Sequence, residues 1–542
     1  MVVKGRLIDI HERRIYPARI ETEGRLIKKI EPVDDCDEVY IMPGMIDAHI
    51  HIESSMLVPG YFSMAAVSRG TTGVVADPHE IANVLGRKGV DFMIDDAERV
   101  PLKFYFGAPS CVPATTLESS GAAVSPEEIE DLFNKKRVKF LGEMMNFPGV
   151  VAGDEEVMRK IQIARSKNLV VDGHAPGLSG EALEKYVAAG ISTDHECSDI
   201  KEAQEKLSLG MKILIREGSA ARNLDSLKEL IKSEPQNVML CSDDLHPEML
   251  VRRHLDRIVA DLVNQGFDLF NVLACCTVNP VEHYGLDCGL LRPGDPADFI
   301  IVNSPSEMKI LSTWIEGEKV FDGNNVLFSY SGPEPVNKFN SSEIDASMIK
   351  VKRLGNNLRV IEASDGRLIT GSGLALSGTG EFAEADQERD ILKLVVKDRY
   401  RDAPPSTAFI RGFGIKSCAF ASSVAHDSHN IICAGTSDDL IVDAINAVIR
   451  VKGGMAVVRP GKTLTLKLPV AGIMSDLPAA DVASEYEELT AFVAESGCRM
   501  SAPFMTLSFM ALLVIPELKL SDRGLFDFSR FALVPLFTDK II

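Results

Sequence analysis

A chain of 542 residues exceeds what one hydrophobic core serves, since cores stop growing near ~250–300 residues, so two or three domains are expected. Its net charge of −20, from 58 basic against 78 acidic residues, repels phosphate backbones and anionic membranes, which argues against both as partners and favours a small neutral or cationic substrate, or a metal ion. No apolar run approaches the roughly 18 residues of a membrane span, and Lys4, Arg6 and Asp9 interrupt the N-terminus where a secretory signal would be apolar. The 10 cysteines show no paired spacing, so a soluble, cytoplasmic protein with reduced thiols is expected.

In chain order, residues 2–8, 18–21 and 26–30 read as short β pieces broken by Gly24 and polar turns. From Met45 onward the texture changes. Short apolar or β-branched runs at 45–48, 71–76, 102–106, 138–142, 169–172, 191–193, 211–215 and 238–241 alternate with segments of helical period. In one such segment, 154–167, Val157, Ile161 and Ala164 share a face. These βα units over about 240 residues have the size of a closed parallel barrel, so residues 44–289 are expected to form a (β/α)8 TIM barrel. The β texture returns at 299–302, 309–315 and 319–321, after the turn Arg292-Pro293-Gly294-Asp295-Pro296. Residues 1–43 and 290–330 are therefore expected to assemble one small β-sandwich domain from both flanks of the barrel. Ser331-Gly332-Pro333-Glu334-Pro335 reads as a linker into a third, α+β unit over 331–542, with a helix at 437–450 and strand alternation at 463–468.

Chemistry enters at Pro43-Gly44-Met45-Ile46-Asp47-Ala48-His49-Ile50-His51. Side chains two apart on a strand share a face, so His49 and His51 can reach one metal ion at the C-terminal mouth of the barrel, where such barrels keep their active sites. Later strand ends add further donors: Glu143 after the fourth run, His174 after the fifth, His195 after the sixth and Asp243 after the eighth. Of 11 histidines, four fall at these strand ends, whereas His11, His254 and His283 lie in segments that suggest no site. Imidazoles on two sides of a shared carboxylate are suited to two divalent ions ~3.5–4 Å apart.

These residues resemble the metal site of the amidohydrolase superfamily, and the flanking strings resemble its adenine deaminases along nearly the whole chain. The matching strings in the barrel are Asp77-Pro78-His79-Glu80-Ile81-Ala82-Asn83-Val84, Leu141-Gly142-Glu143-Met144-Met145-Asn146, Asp172-Gly173-His174-Ala175-Pro176, Thr193-Asp194-His195-Glu196 and Ser242-Asp243-Asp244-Leu245-His246-Pro247. In the C-terminal unit they are Ser423-Val424-Ala425-His426-Asp427-Ser428-His429-Asn430 and Ile515-Pro516-Glu517-Leu518. The resemblance implies that Glu143 bridges the metals directly, where many superfamily members carry a carbamylated lysine. It also implies a binuclear Mn2+ or Fe2+ site, a donor set that suits Zn2+ as well. The implied reaction is hydrolysis of adenine, a purine base, to hypoxanthine and ammonia, with Asp243 carrying a proton from water to the departing amine. A homodimer is expected.

Other residues at the mouth carry two readings each. His79 and Glu80 follow the second run and serve either substrate, a further metal or the loop itself, and Glu80, with His246, is also a catalytic candidate, next in line to Asp243 as proton carrier. His246, three residues past Asp243, either polarises the purine ring or orients its loop. Arg216 and Glu217 follow the seventh run and read best as a mutual ion pair, Glu217 being the weaker substrate-binding candidate. His426 and His429 form either a lid over the barrel or a polar turn in their own unit. Asp244, beside Asp243, is expected to point away from the site.

Two motif matches are set aside. Ala456 to Thr463 mimics a phosphate loop but has Pro460 inside and strand alternation behind it, where a helix N-terminus is needed. His51-Ile52-Glu53 mimics a cytidine-deaminase zinc motif, yet no Pro-Cys-x-x-Cys follows. The rivals to the adenine reading are another amidohydrolase acting on a cyclic amide and a barrel scaffold that has lost its chemistry.

Overall fold

The computed structural model describes residues 1–539. The barrel strands are Met45–Ile50, Thr71–Ala76, Lys103–Ala108, Val138–Met144, Val170–Gly173, Thr193–Asp194, Lys212–Arg216 and Val238–Cys241, so every run expected as a barrel strand is one. The first five pair in parallel in a 5-stranded sheet and the last three in a 3-stranded sheet. The fifth and sixth strands pack together, and the eighth returns to the first, where Ile50 and Asp243 form a parallel bridge. Burial on both faces explains why these strands read as unbroken apolar runs. The helix Glu155–Ser166 begins at Asp154, whose carboxylate accepts from Val157 N at 3.0 Å, and it buries Val157, Ile161 and Ala164.

Both flanks of the barrel join in one 7-stranded sheet, with Phe299 paired to Pro43 where the two halves meet. Its far edge closes back on the second flank, where Leu26 bridges Pro296 and Ile27 N donates to Asp295 O. One side holds its own core of Leu7, Ile20, Ile41 and Phe299. The other sends Ile8, Met42, Ile300 and Ile310 into the barrel core.

The C-terminal unit is built on a 9-stranded sheet. The helix Asp438–Arg450, capped by Ser437, buries Ile441, Ile445 and Val448 against Val395, Ile431 and Val458. The string that mimics a phosphate loop is a hairpin between Gly454–Arg459 and Lys462–Lys467, turning at Pro460 and at Gly461 with φ 79°. Phe504, Leu507 and Met510 of this unit share one hydrophobic cluster with barrel residues such as Val74 and Phe106, so the unit is welded to the barrel rather than tethered to it. No helix among the described residues is long and apolar enough to cross a membrane.

Candidate active site

The strand ends converge as their spacing dictates. His49 and His51 are buried with their Nε2 atoms 3.2 Å apart. Glu143 Oε1 lies 3.2 Å from His51 Nε2, while Oε2 lies 2.9 Å from His174 Nδ1 and 3.0 Å from His195 Nε2. One carboxylate thus stands between imidazoles on two sides. Asp243 Oδ1 is 3.5 Å from His49 Nε2 and 3.2 Å from His51 Nε2.

The support behind this cluster is equally specific. His51 Nδ1 meets the Asp77 backbone carbonyl at 3.0 Å, which turns Nε2 inward. Asp77 also accepts from Glu143 N at 2.8 Å, an approach that only glycine permits at the preceding position: a Cβ on Gly142 would lie 2.3 Å from the Asp77 carboxylate. Burial lowers the pKa of His49, and neighbouring His195 lowers it further, which keeps the ring in the neutral form that ligates metal. Burial alone would raise the Glu143 carboxyl, but His195 and His174 outweigh it and hold the group well below the carboxylate range.

These residues fit a pair of divalent cations. The groups His49–His195–Asp243, His49–His51–Glu143 and Glu143–His174–His195 each bring three ligand atoms within 4.8 Å of one another. Buried ring atoms, including His49 Nδ1 and His174 Nε2, lack hydrogen-bond partners. Imidazole and carboxylate together form a donor set for Mn2+, Fe2+ or Zn2+.

Above the cluster lies a small cavity. Barrel residues His51, His79, Glu80, Glu143, His174, His195 and Asp243 line it from below, and Leu368, His426, Asp427, Phe509 and Leu512 of the C-terminal unit close it.

The chain matches the Amidohydrolase family over residues 40–320 and the Adenine deaminase C-terminal domain over residues 371–532. It is 49% identical over 540 residues to the adenine deaminase of Salinibacter ruber, with 99% of both chains covered. It is 48% identical over 551 residues to that of Methanosarcina mazei, again covering 99% of both. The chain belongs to the adenine deaminase family. Among solved structures it is similar to a β-aspartyl dipeptidase of Fervidobacterium islandicum, at TM-score 0.48 and 17% identity, over 61% of this chain and 100% of that one.

In this member of the adenine deaminase family the C-terminal histidines reach the barrel. His426 Nδ1 and His429 Nε2 each bond one oxygen of Glu80, a residue 346 and 349 positions away. His426 lines the cavity, whereas His429 acts on it only through Glu80. His79 lies between the two carboxylates, 3.5 Å from Glu143 Oε1 and 3.6 Å from Glu80 Oε1.

Three expectations are corrected. The Arg216–Glu217 pair does not form, because neighbours at a strand end diverge. Arg216 instead donates to Glu196, at 2.6 and 2.8 Å, and to Asp243 Oδ2 at 2.5 Å, while Glu217 lies outside the cavity lining with Arg253 3.9 Å away. Asp244 does not point away. The strand ends at Cys241 and Asp243 adopts φ 54°, so alternation no longer applies, and Asp244 faces the cavity with Ser54 Oγ donating to it at 2.5 Å. His246 packs its ring on Tyr486, centroids 4.8 Å apart, outside the cavity lining, and burial lowers its pKa to about 3. A neutral ring turned aside is not placed to polarise the substrate.

Glu196 was missed by sequence reasoning, and so was Arg216 as a site residue. The one available signal was position: both are charged residues at the C-terminal ends of barrel strands, where burial demands a partner.

Proposed function

We propose that this chain hydrolyses adenine to hypoxanthine and ammonia in the cytoplasm. The observation that carries the reading is Glu143, one buried carboxylate shared between imidazoles on two sides, beneath a roof supplied by the unit that matches the Adenine deaminase C-terminal domain. All 10 cysteines are free, which supports the location.

His49, His51, Glu143, His174, His195 and Asp243 would hold the metal pair, Mn2+ or Fe2+ in this reading, with Zn2+ compatible. When bound there, two divalent ions supply positive charge that lowers the pKa of a water and stabilises charge developing on the purine. Asp243 serves as the proton carrier: it takes the proton from the attacking water and gives it to the departing amine. Arg216, bonded to its other oxygen, fixes the direction in which that carboxylate faces. Glu80, held by His426 and His429, is the second proton-handling group and serves the ring nitrogen beside the reacting carbon. The C-terminal roof keeps bulk water out, which strengthens each of these charges.

The test is to express the protein with Mn2+, measure metal per chain, and assay adenine, adenosine, cytosine and hydantoin for turnover. About two ions per chain and ammonia from adenine are expected. Turnover of hydantoin without adenine favours the cyclic-amide reading, and full activity with a single ion counts against the pair.

The roof carries a prediction of its own. His429→Ala removes one of the two nitrogens on Glu80 and should lower kcat for adenine by about tenfold or more, with metal content retained. Parent kinetics in a folded, metal-loaded variant would mean that the clasp serves folding alone.

A further inference from the structure

The roof of the cavity is chemically uneven. Leu368, Phe509 and Leu512 are apolar, and Phe509 stacks on the His426 ring with centroids 4.4 Å apart at 21°. Asp427 is the exception. It is 2% exposed, and its Oδ2 makes no hydrogen bond: His79 Nε2, at 3.8 Å, is an ion-pair neighbour too far away to donate one, so the oxygen keeps a free lone pair. An unsatisfied buried carboxylate oxygen is costly, so one kept in a cavity wall points to a donor that arrives with the ligand. The adjacent His426 is similar, with Nδ1 engaged by Glu80 and Nε2 unpartnered.

We infer that Asp427 accepts the N9–H of adenine and so selects the free base against nucleosides and other 9-substituted purines. The inference rests on the adenine reading of this cavity. With C6 over the ligand cluster on the barrel floor, N7 lies beside the reacting amine and N9 lies across the ring system, facing the roof. In the free base N9 carries a hydrogen, which suits a carboxylate oxygen. In a nucleoside N9 carries a sugar carbon, which removes the donor and drives bulk into Phe509 and Leu512. His426 Nε2, one residue earlier, faces N3, the ring atom separated from N9 by C4 alone. A site built to bond a substrate N–H rejects the analogue lacking it far more strongly than an apolar pocket rejects added size.

The experiment uses metal-loaded parent, Asp427→Asn and Asp427→Ala. It measures kcat and KM for adenine, the inhibition constant of 9-methyladenine, metal content and circular dichroism. Asp427→Ala should raise KM for adenine about 10- to 100-fold, the worth of a hydrogen bond to a charged group, while binding of 9-methyladenine stays the same or tightens. Asp427→Asn, which keeps the size and an acceptor oxygen but loses the charge, should show the same divergence to a smaller degree. Equal weakening of both ligands shows a structural role and overturns the inference, as does a loss of metal that accounts for the lost activity. Should neither variant fold, the parent decides. Binding of 9-methyladenine about tenfold or more weaker than adenine supports the inference, and comparable binding overturns it. A parent that releases no ammonia from adenine refutes the deaminase reading instead.

Discussion

Asp243→Asn should lower kcat for adenine by ~10²–10⁴-fold, the usual worth of a general base, while metal content largely survives. The amide keeps the shape of the carboxylate. Its oxygen can still serve as a ligand or accept from Arg216, which lies 2.5 Å from Oδ2 in the parent, but it cannot take a proton. Burial would raise the Asp243 carboxyl, yet Arg216 first, then His49 and His51, outweigh it and hold the group well below the carboxylate range. A depressed pKa means that the base form is present above it and lost as pH falls through it. The parent's acidic limb should therefore lie below the range of ordinary carboxylates. Ammonia release across pH, with metal content measured on the same samples, checks both statements. If the variant keeps the parent rate with its metals in place, the proton carrier lies elsewhere, and Glu80 is the successor because His246 faces away from the cavity. Asp244→Asn is a weaker control than strand alternation suggests, since Asp244 lines the same space; a smaller loss than that of Asp243→Asn is expected.

How much of this was legible in the sequence depends on how local each signal is. The barrel was legible because a parallel strand buried on both faces must be apolar, and because ligands sit at strand ends, so His49, His51, Glu143, His174, His195 and Asp243 each followed an apolar run. The rule failed where the backbone left the strand: Asp243 at φ 54° redirects Asp244 into the cavity. It failed again where a partner is distant in sequence. Arg216 finds Glu196 and Asp243 across the barrel mouth, 20 and 27 positions away, rather than its neighbour Glu217. The contact of Glu80 with His426 and His429 joins two units, and no periodicity in either segment encodes the other.

Glu143→Gln tests the centre of the site. In the parent both oxygens are committed, Oε1 toward His51 and Oε2 toward His174 and His195, so the group carries negative charge to both sides at once. Glutamine is nearly the same size but replaces one oxygen with an NH2 donor. Whichever way the amide turns, one side meets N–H where it had a lone pair, and neither side meets a full charge. Losing a carboxylate placed to serve two cations at once should cost more than the ~10–100-fold in metal affinity typical of groups that only support a ligand. Metal content should therefore fall from about two ions per chain to one or fewer, with kcat for adenine down by ~10²-fold or more. Glu143→Asp separates charge from reach. It keeps the anion but shortens the side chain, so partial metal binding that recovers in excess Mn2+ is expected for Asp and not for Gln. Metal analysis after dialysis, followed by activity on Mn2+ titration, reads both variants. Full activity of the Gln variant at parent metal content would remove Glu143 from the ligand set and leave His51 and Asp243 to hold one ion apart from the other.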